Sequence, residues 1–200
     1  MGKFINHKSQ EKQKTREYIL GQIPKLKKRK LRLLTLPADN FIFEQMVLKR
    51  YPNAVIDCME IDHVLYRQIK DSLPCKVNYE FGDIFDKLQD NPNMYDVIWL
   101  DLCGNLSTNN LYNIISVVQN SLKKKCIFAF TLSSNREQRG KIFTQLYNCP
   151  DINHFRFKVF PKILIKMGRI FHPYFSLKKI LKYQNEDSKV PMSLYLFTNN

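Results

Sequence analysis

No stretch of the 200 residues approaches the roughly eighteen uninterrupted apolar side chains of a membrane span, so no transmembrane segment is expected. The N-terminus lacks the apolar core of a secretory signal. Met1-Gly2 fits the start of a myristoylation motif, but Asn6 stands where that motif needs Ser or Thr. The five cysteines include no CxxC pair, and the four histidines are scattered, so neither a zinc site nor a disulfide framework is expected. An odd number of widely spaced thiols inside apolar runs reads as reduced, buried side chains of a cytoplasmic protein. Acidic residues are also scarce, 18 against 32 Lys and Arg.

What is present suits a packed domain. The chain is 44% hydrophobic and has 14 Phe and 10 Tyr, enough for a core without disulfide or metal. Its net charge of +14 is unevenly spread. Residues 1–32 carry eleven Lys and Arg against Glu11 and Glu17, a net +9. Residues 158–189 carry eight against Glu186 and Asp187, a net +6, which leaves the body between them at −1. Two basic ends on a near-neutral body suit a polyanion, most simply nucleic acid. Lys25, Lys27, Lys28, Arg29, Lys30, Lys178 and Lys179 are the candidate phosphate contacts. A membrane surface fits poorly, because Lys25–Lys30 offers little apolar face.

Along the chain, residues 9–23 read as a helix with Tyr18, Ile19, Leu20 and Ile23 on its apolar side, closed by Pro24. Residues 1–30 are therefore expected to form a basic helix and arm, and residues 31–200 one domain. Within that domain, short apolar runs alternate with helical patterns. Strands are predicted near 31–36, 54–60, 76–80, 95–101 and 126–132, with helices between them around Phe41–Leu48, Asp62–Leu73, Gly82–Leu88 and Leu111–Leu122. That order predicts a parallel sheet covered on both faces. Further helices are expected around Ile142–Leu146 and Val159–Phe171, the second weakened by Pro161 and Gly168. Two strands, within 176–184 and 191–198, should then form an antiparallel hairpin.

Three local patterns accompany this layout: Cys58-Met59-Glu60-Ile61-Asp62, Phe81-Gly82-Asp83-Ile84, and Tyr95-Asp96-Val97-Ile98-Trp99-Leu100-Asp101-Leu102-Cys103-Gly104. Together with the element order, they resemble the class I S-adenosylmethionine-dependent methyltransferases, over about 170 residues from Leu31 onward. The resemblance implies a Rossmann-like α/β fold and S-adenosylmethionine as cofactor. It places Glu60 where the family's strand-two acid accepts from the ribose hydroxyls, a role suited to an acceptor-only carboxylate. Asp83 falls beside the adenine, and it also fits a plain helix N-cap. Asp101 and Cys103 lie where the family's fourth strand faces the transferred methyl, and are the candidate catalytic residues, with Asp101 also a candidate cofactor contact. Leu36, Pro37, Ala38 and Asp39 occupy the first loop, where the family has a glycine-rich turn against the cofactor. No glycine stands in this loop here.

The resemblance and the charge together imply a methyltransferase that acts on nucleic acid. The missing glycine turn keeps open an alternative of another class, a non-catalytic nucleic-acid-binding or assembly module on the same fold.

Overall fold

The computed structural model describes residues 10–26, 30–37, 41–70, 74, 76–133, 140–184 and 189–199. Seven strands form one sheet: β1 (Arg32–Thr35), β2 (Val55–Glu60), β3 (Val77–Phe81), β4 (Val97–Asn105), β5 (Cys126–Ser133), β6 (Phe175–Gln184) and β7 (Pro191–Asn199). Their order is β3-β2-β1-β4-β5-β7-β6. The first five are mutually parallel, and β7 runs antiparallel between β5 and β6. This is the sheet the alternating pattern predicts, hairpin included.

Eight helices pack on it: α1 (Gln10–Gln22), α2 (Ile42–Arg50), α3 (His63–Ile69), α4 (Ile84–Asp90), α5 (Thr108–Asn120), α6 (Gly140–Leu146), α7 (Ile152–His154) and α8 (Phe160–Phe171), among the described residues. Successive strand residues point to opposite faces, so each strand feeds two cores. Leu33, Trp99, Ile127, Ala129 and Leu194 join α1 and α2 on one face. Leu34, Ile98, Phe128, Phe130 and Tyr195 join α5 and α8 on the other. Every residue of β5 is buried, which is why that strand reads as an unbroken apolar run.

Three local details differ from the sequence expectation or refine it. Residues 10–26 of the expected basic arm are part of the packed body, with Ile19, Leu20, Ile23 and Leu26 in the core. The reason is the apolar stripe of α1, which continues through the 3₁₀ turn Ile23–Leu26 that accommodates Pro24. Strand β4 continues past Asp101 to Asn105, with a register irregularity between the two. Pro161 falls in the first turn of α8, where its missing N–H costs nothing. A π-helical turn, Phe155–Val159, joins α7 to α8 ahead of it.

Among the described residues, Cys58, Cys126 and Cys149 carry free thiols. Burial pushes the Cys126 thiol up to about 12, as expected of a cysteine serving as a small core side chain. No group of His, Cys, Asp or Glu among the described residues could hold a metal ion. No described helix is long and apolar enough to cross a membrane.

Candidate active site

β1 is the shortest strand, and its end makes a notch. Thr35, its last residue, pairs with Cys58 on β2 and Trp99 on β4. Both neighbours run on, β2 to Glu60 and β4 past Asp101. Winding reverses at this point, with β2 and β3 on one side of β1 and β4 and β5 on the other. Open α/β sheets bind ligands at such a switch point, outside the carboxyl ends of the strands. The structure thus brings Leu36, Glu60, Asp83 and Asp101 to one edge, as the sequence predicts.

The floor of the notch is Leu36, whose N–H donates to the Trp99 carbonyl at 3.4 Å, followed by the buried Pro37. Ala38 and Asp39, both expected to touch cofactor, lie outside the described residues. Where the family uses glycine, this chain re-enters regular structure through Phe41, which adopts the left-handed conformation (φ 49°) just before α2. Its buried ring meets Tyr79 edge-on at 5.6 Å. Packing of that ring holds a backbone state that a side chain ordinarily disfavours.

On the β2–β3 side, Glu60 is half-buried and accepts the Asp62 N–H at 2.8 Å. Burial raises its carboxyl above the ordinary value, an effect partly offset by that hydrogen bond. Asp62 caps α3 through the N–H groups of Val64 and Leu65. Asp83 likewise caps α4, accepting from Phe85 N–H at 2.8 Å. Between the two acids lie side chains of the opposite character. Ile61 is 67% exposed and Phe81 51%. Gly82 turns the chain there at φ 151°, and a Cβ would come within 3.2 Å of the Met59 methyl.

On the β4 side the site is closed. Asp101 Oδ2 lies 2.6 Å from Lys12 Nζ on α1, and Oδ1 accepts the Thr131 hydroxyl at 2.6 Å. Both charged side chains are about nine-tenths buried, at 9% and 10% exposure. Arg16, one turn further along α1, is also buried, and its charge faces Asp101, Glu44 and Tyr183. Glu44 accepts the Thr35 hydroxyl at 2.6 Å. Burial works to raise Asp101, but the Lys12 ammonium, the Thr131 hydroxyl and the Arg16 charge together outweigh it and hold the carboxyl below its usual value. Glu44 has the opposite outcome, because burial dominates and raises it. Cys103 follows two residues later in β4; only its backbone is described.

Sequence reasoning missed this network. In the sequence, Lys12 and Arg16 count only as part of the charge of the basic N-terminal segment. The available signal was their spacing: Lys12, Arg16, Ile19 and Ile23 form a single helical stripe, so two cations share the inward face.

The predicted phosphate contacts that are described lie elsewhere. Lys25 is exposed and donates to the Gln22 side chain, while Lys27, Lys28 and Arg29 lie outside the described residues. Lys30 precedes the first residue of β1, and so sits at the edge opposite the notch. Lys178 and Lys179 are exposed midway along β6, the outer strand of the sheet.

Five parallel strands in the order 3-2-1-4-5, completed by an antiparallel strand inserted before the last, define the Rossmann-like class I methyltransferase fold. Solved structures agree. The chain is similar to Trm1 of Pyrococcus horikoshii, solved with S-adenosyl-L-methionine, at TM-score 0.63 and 11% identity over 93% of this chain and 53% of that one. It is similar to yhhF of Escherichia coli, described as a candidate methyltransferase, at TM-score 0.60 and 11% identity over 96% and 88%. A spermidine synthase of Thermotoga maritima shares the fold at TM-score 0.53 and 10% identity, over 85% and 53%. No protein-family model and no curated protein matches the chain. At these identities the likeness is one of fold.

Proposed function

We propose that the chain is an S-adenosylmethionine-dependent methyltransferase acting on nucleic acid, with the cofactor in the notch above β1. The observation that carries this reading is the pairing of exposed apolar surface with acceptors on the β2–β3 side. Ile61 and Phe81 offer a surface against which a planar base can pack, and Glu60 and Asp83 flank it. The donor set fits an adenosine, whose ribose hydroxyls and exocyclic amine all donate. A carboxylate has about four lone-pair sites, so Glu60, accepting the Asp62 N–H, and Asp83, capping α4, each have room for a further donor. Leu36 and Pro37, followed by Ala38 and Asp39, would border the methionine end.

When bound, the cofactor supplies an electrophilic methyl group on a sulfonium. The chain's own part is to hold the acceptor in line and keep water out, which can account for much of such a rate enhancement. The acceptor would lie along Asp101–Gly104. Asp101 has both oxygens engaged, so it fixes α1 over this stretch, and taking a proton there requires the Lys12 contact to open. Cys103 borders the acceptor from the same strand. The net charge of +14 supports a polyanionic substrate.

Calorimetry with S-adenosylmethionine and S-adenosylhomocysteine tests the cofactor, and transfer of a labelled methyl group into RNA and DNA tests the substrate. Glu60→Ala should weaken cofactor binding by about 1–3 kcal/mol, the cost of losing hydrogen bonds to a charged group. Ribose donors favour the ionised carboxylate, so wild-type affinity should rise with pH through the raised Glu60 value. Absent binding of either ligand by the folded protein overturns the enzyme reading and leaves the non-catalytic module on the same fold.

A further inference from the structure

The amino ends of the parallel strands form the second edge of the domain, and their charge is unlike that of the first. Lys30 enters β1, Lys76 enters β3, Lys124 and Lys125 enter β5, and Lys49 and Arg50 end α2 beside β2. All six are exposed. The acids among these strand ends are turned inward and already matched. Asp57 is buried with Arg32 at 3.4 Å, and Asp96 is buried with Lys123 at 2.9 Å. Asp90, at the end of α4, is an exposed acid on the same edge. The solvent-facing charge is therefore strongly positive.

A cavity of about 620 Å³ opens on this edge, between the starts of β2 and β3, with Lys30, Lys76, Asn53 and Asn78 among its lining. Lys76 is held there by its own ammonium, which donates to the Pro52 carbonyl at 3.0 Å. Two ammonium groups and the Asn53 amide line a recess that suits phosphate and sugar oxygens, beside Asn78, whose amide donates to Asp57 at 2.7 Å.

We propose that this amino edge, and not the rim of the notch, is the docking surface for the nucleic-acid backbone. The recess would take a phosphate between Lys30 and Lys76, and Lys124 and Lys125 would continue the track across the sheet. From Val55 to Glu60, β2 alone spans about 17 Å at roughly 3.3 Å per residue. A phosphate held at this edge therefore belongs to a different nucleotide from any acceptor at the notch. Docking here tethers a polymer without reading its sequence. The inference rests on the nucleic-acid part of the proposed function and is independent of methyl transfer.

The experiment compares two equally charged variants of the full chain. One carries Lys30→Gln, Lys76→Gln, Lys124→Gln and Lys125→Gln. The other carries Lys158→Gln, Lys162→Gln, Lys166→Gln and Lys189→Gln, which neutralise exposed cations of the π turn, α8 and the segment before β7. Fluorescence anisotropy with labelled single-stranded RNA, single-stranded DNA and duplex DNA is followed against salt. For every phosphate no longer neutralised, the slope of log affinity against log salt flattens by about 0.9 on duplex or 0.7 on single strands. The edge variant should bind at least tenfold more weakly in low salt and with a flatter slope, and the second variant should stay near wild type. Equal weakening in both variants, or none in the edge variant, overturns the proposal. Wild type that binds anionic lipid vesicles but no nucleic acid overturns it together with the nucleic-acid part of the proposed function. Edge-dependent binding without methyl transfer overturns the proposed enzyme alone and leaves this surface standing.

Discussion

The two edges of the sheet handle charge in opposite ways. At the carboxyl edge, cations and anions are drawn inside and matched: Lys12 with Asp101, and Arg16 facing Asp101 and Glu44. At the amino edge Asp57 and Asp96 are buried, Asp90 is the exposed acid named above, and the lysines face solvent. A buried pair is expensive to break, since removing one partner strands the other in a poorly solvated place. An exposed lysine costs the fold almost nothing to lose and interacts at range with other charges. One edge is thus organised for internal order and the other for external contact.

The strongest challenge to this contrast is Lys12→Met. It should cost about 3–5 kcal/mol of stability, read by urea unfolding, because Asp101 is left buried without its cation. Adding Asp101→Leu should recover much of that stability, and a double variant as unstable as the sum of the singles would mean the two side chains do not act as a pair. Smaller, and specific to the notch, is the drop of about 1–3 kcal/mol in cofactor affinity for Glu60→Ala, with unfolding little changed. Lys124→Gln should be smallest, within about 0.5 kcal/mol of wild type in unfolding, while still lowering nucleic-acid affinity.

Acid titration sharpens the same comparison. The folded value of Asp101 is depressed, so its contribution is present above the unfolded value near 3.8 and is lost as pH falls through the folded one. Lys12→Met should remove that decline from the low-pH limb of the stability curve. Glu44 acts in the other direction. Its folded value is raised above 4.5, so it favours the fold when protonated and its contribution declines as pH rises through the folded value. Glu44→Gln should remove that dependence, as checked by unfolding at a series of pH values.

The strands were legible because a parallel strand covered on both faces is apolar over most of its length, as Cys126–Phe130 and Val97–Leu100 are. The hairpin was legible because two strand patterns lie too close in sequence for a crossover. Placing Glu60, Asp83 and Asp101 on one edge followed from the strand ends. The engagement of Asp101 was not legible, because it depends on a lysine 89 positions earlier, in a helix that reads as polar. Nor was the turn at Phe41, since no local rule assigns a left-handed state to a phenylalanine. Only the pocket beside Tyr79 does so. The separation of Lys30 from the notch was hidden for a simpler reason: composition records charge but not which end of a strand carries it.

The insertion of β7 between β5 and β6 makes one side of the sheet depend on a single strand. Among the described residues β6 pairs with β7 alone, and β7 covers the border of β5 that faces away from β4. A folding intermediate in which β7 has not docked therefore carries two unpaired strand borders, one of them along a strand whose every residue is buried in the finished sheet. Such borders are the usual starting points of misassembly between chains.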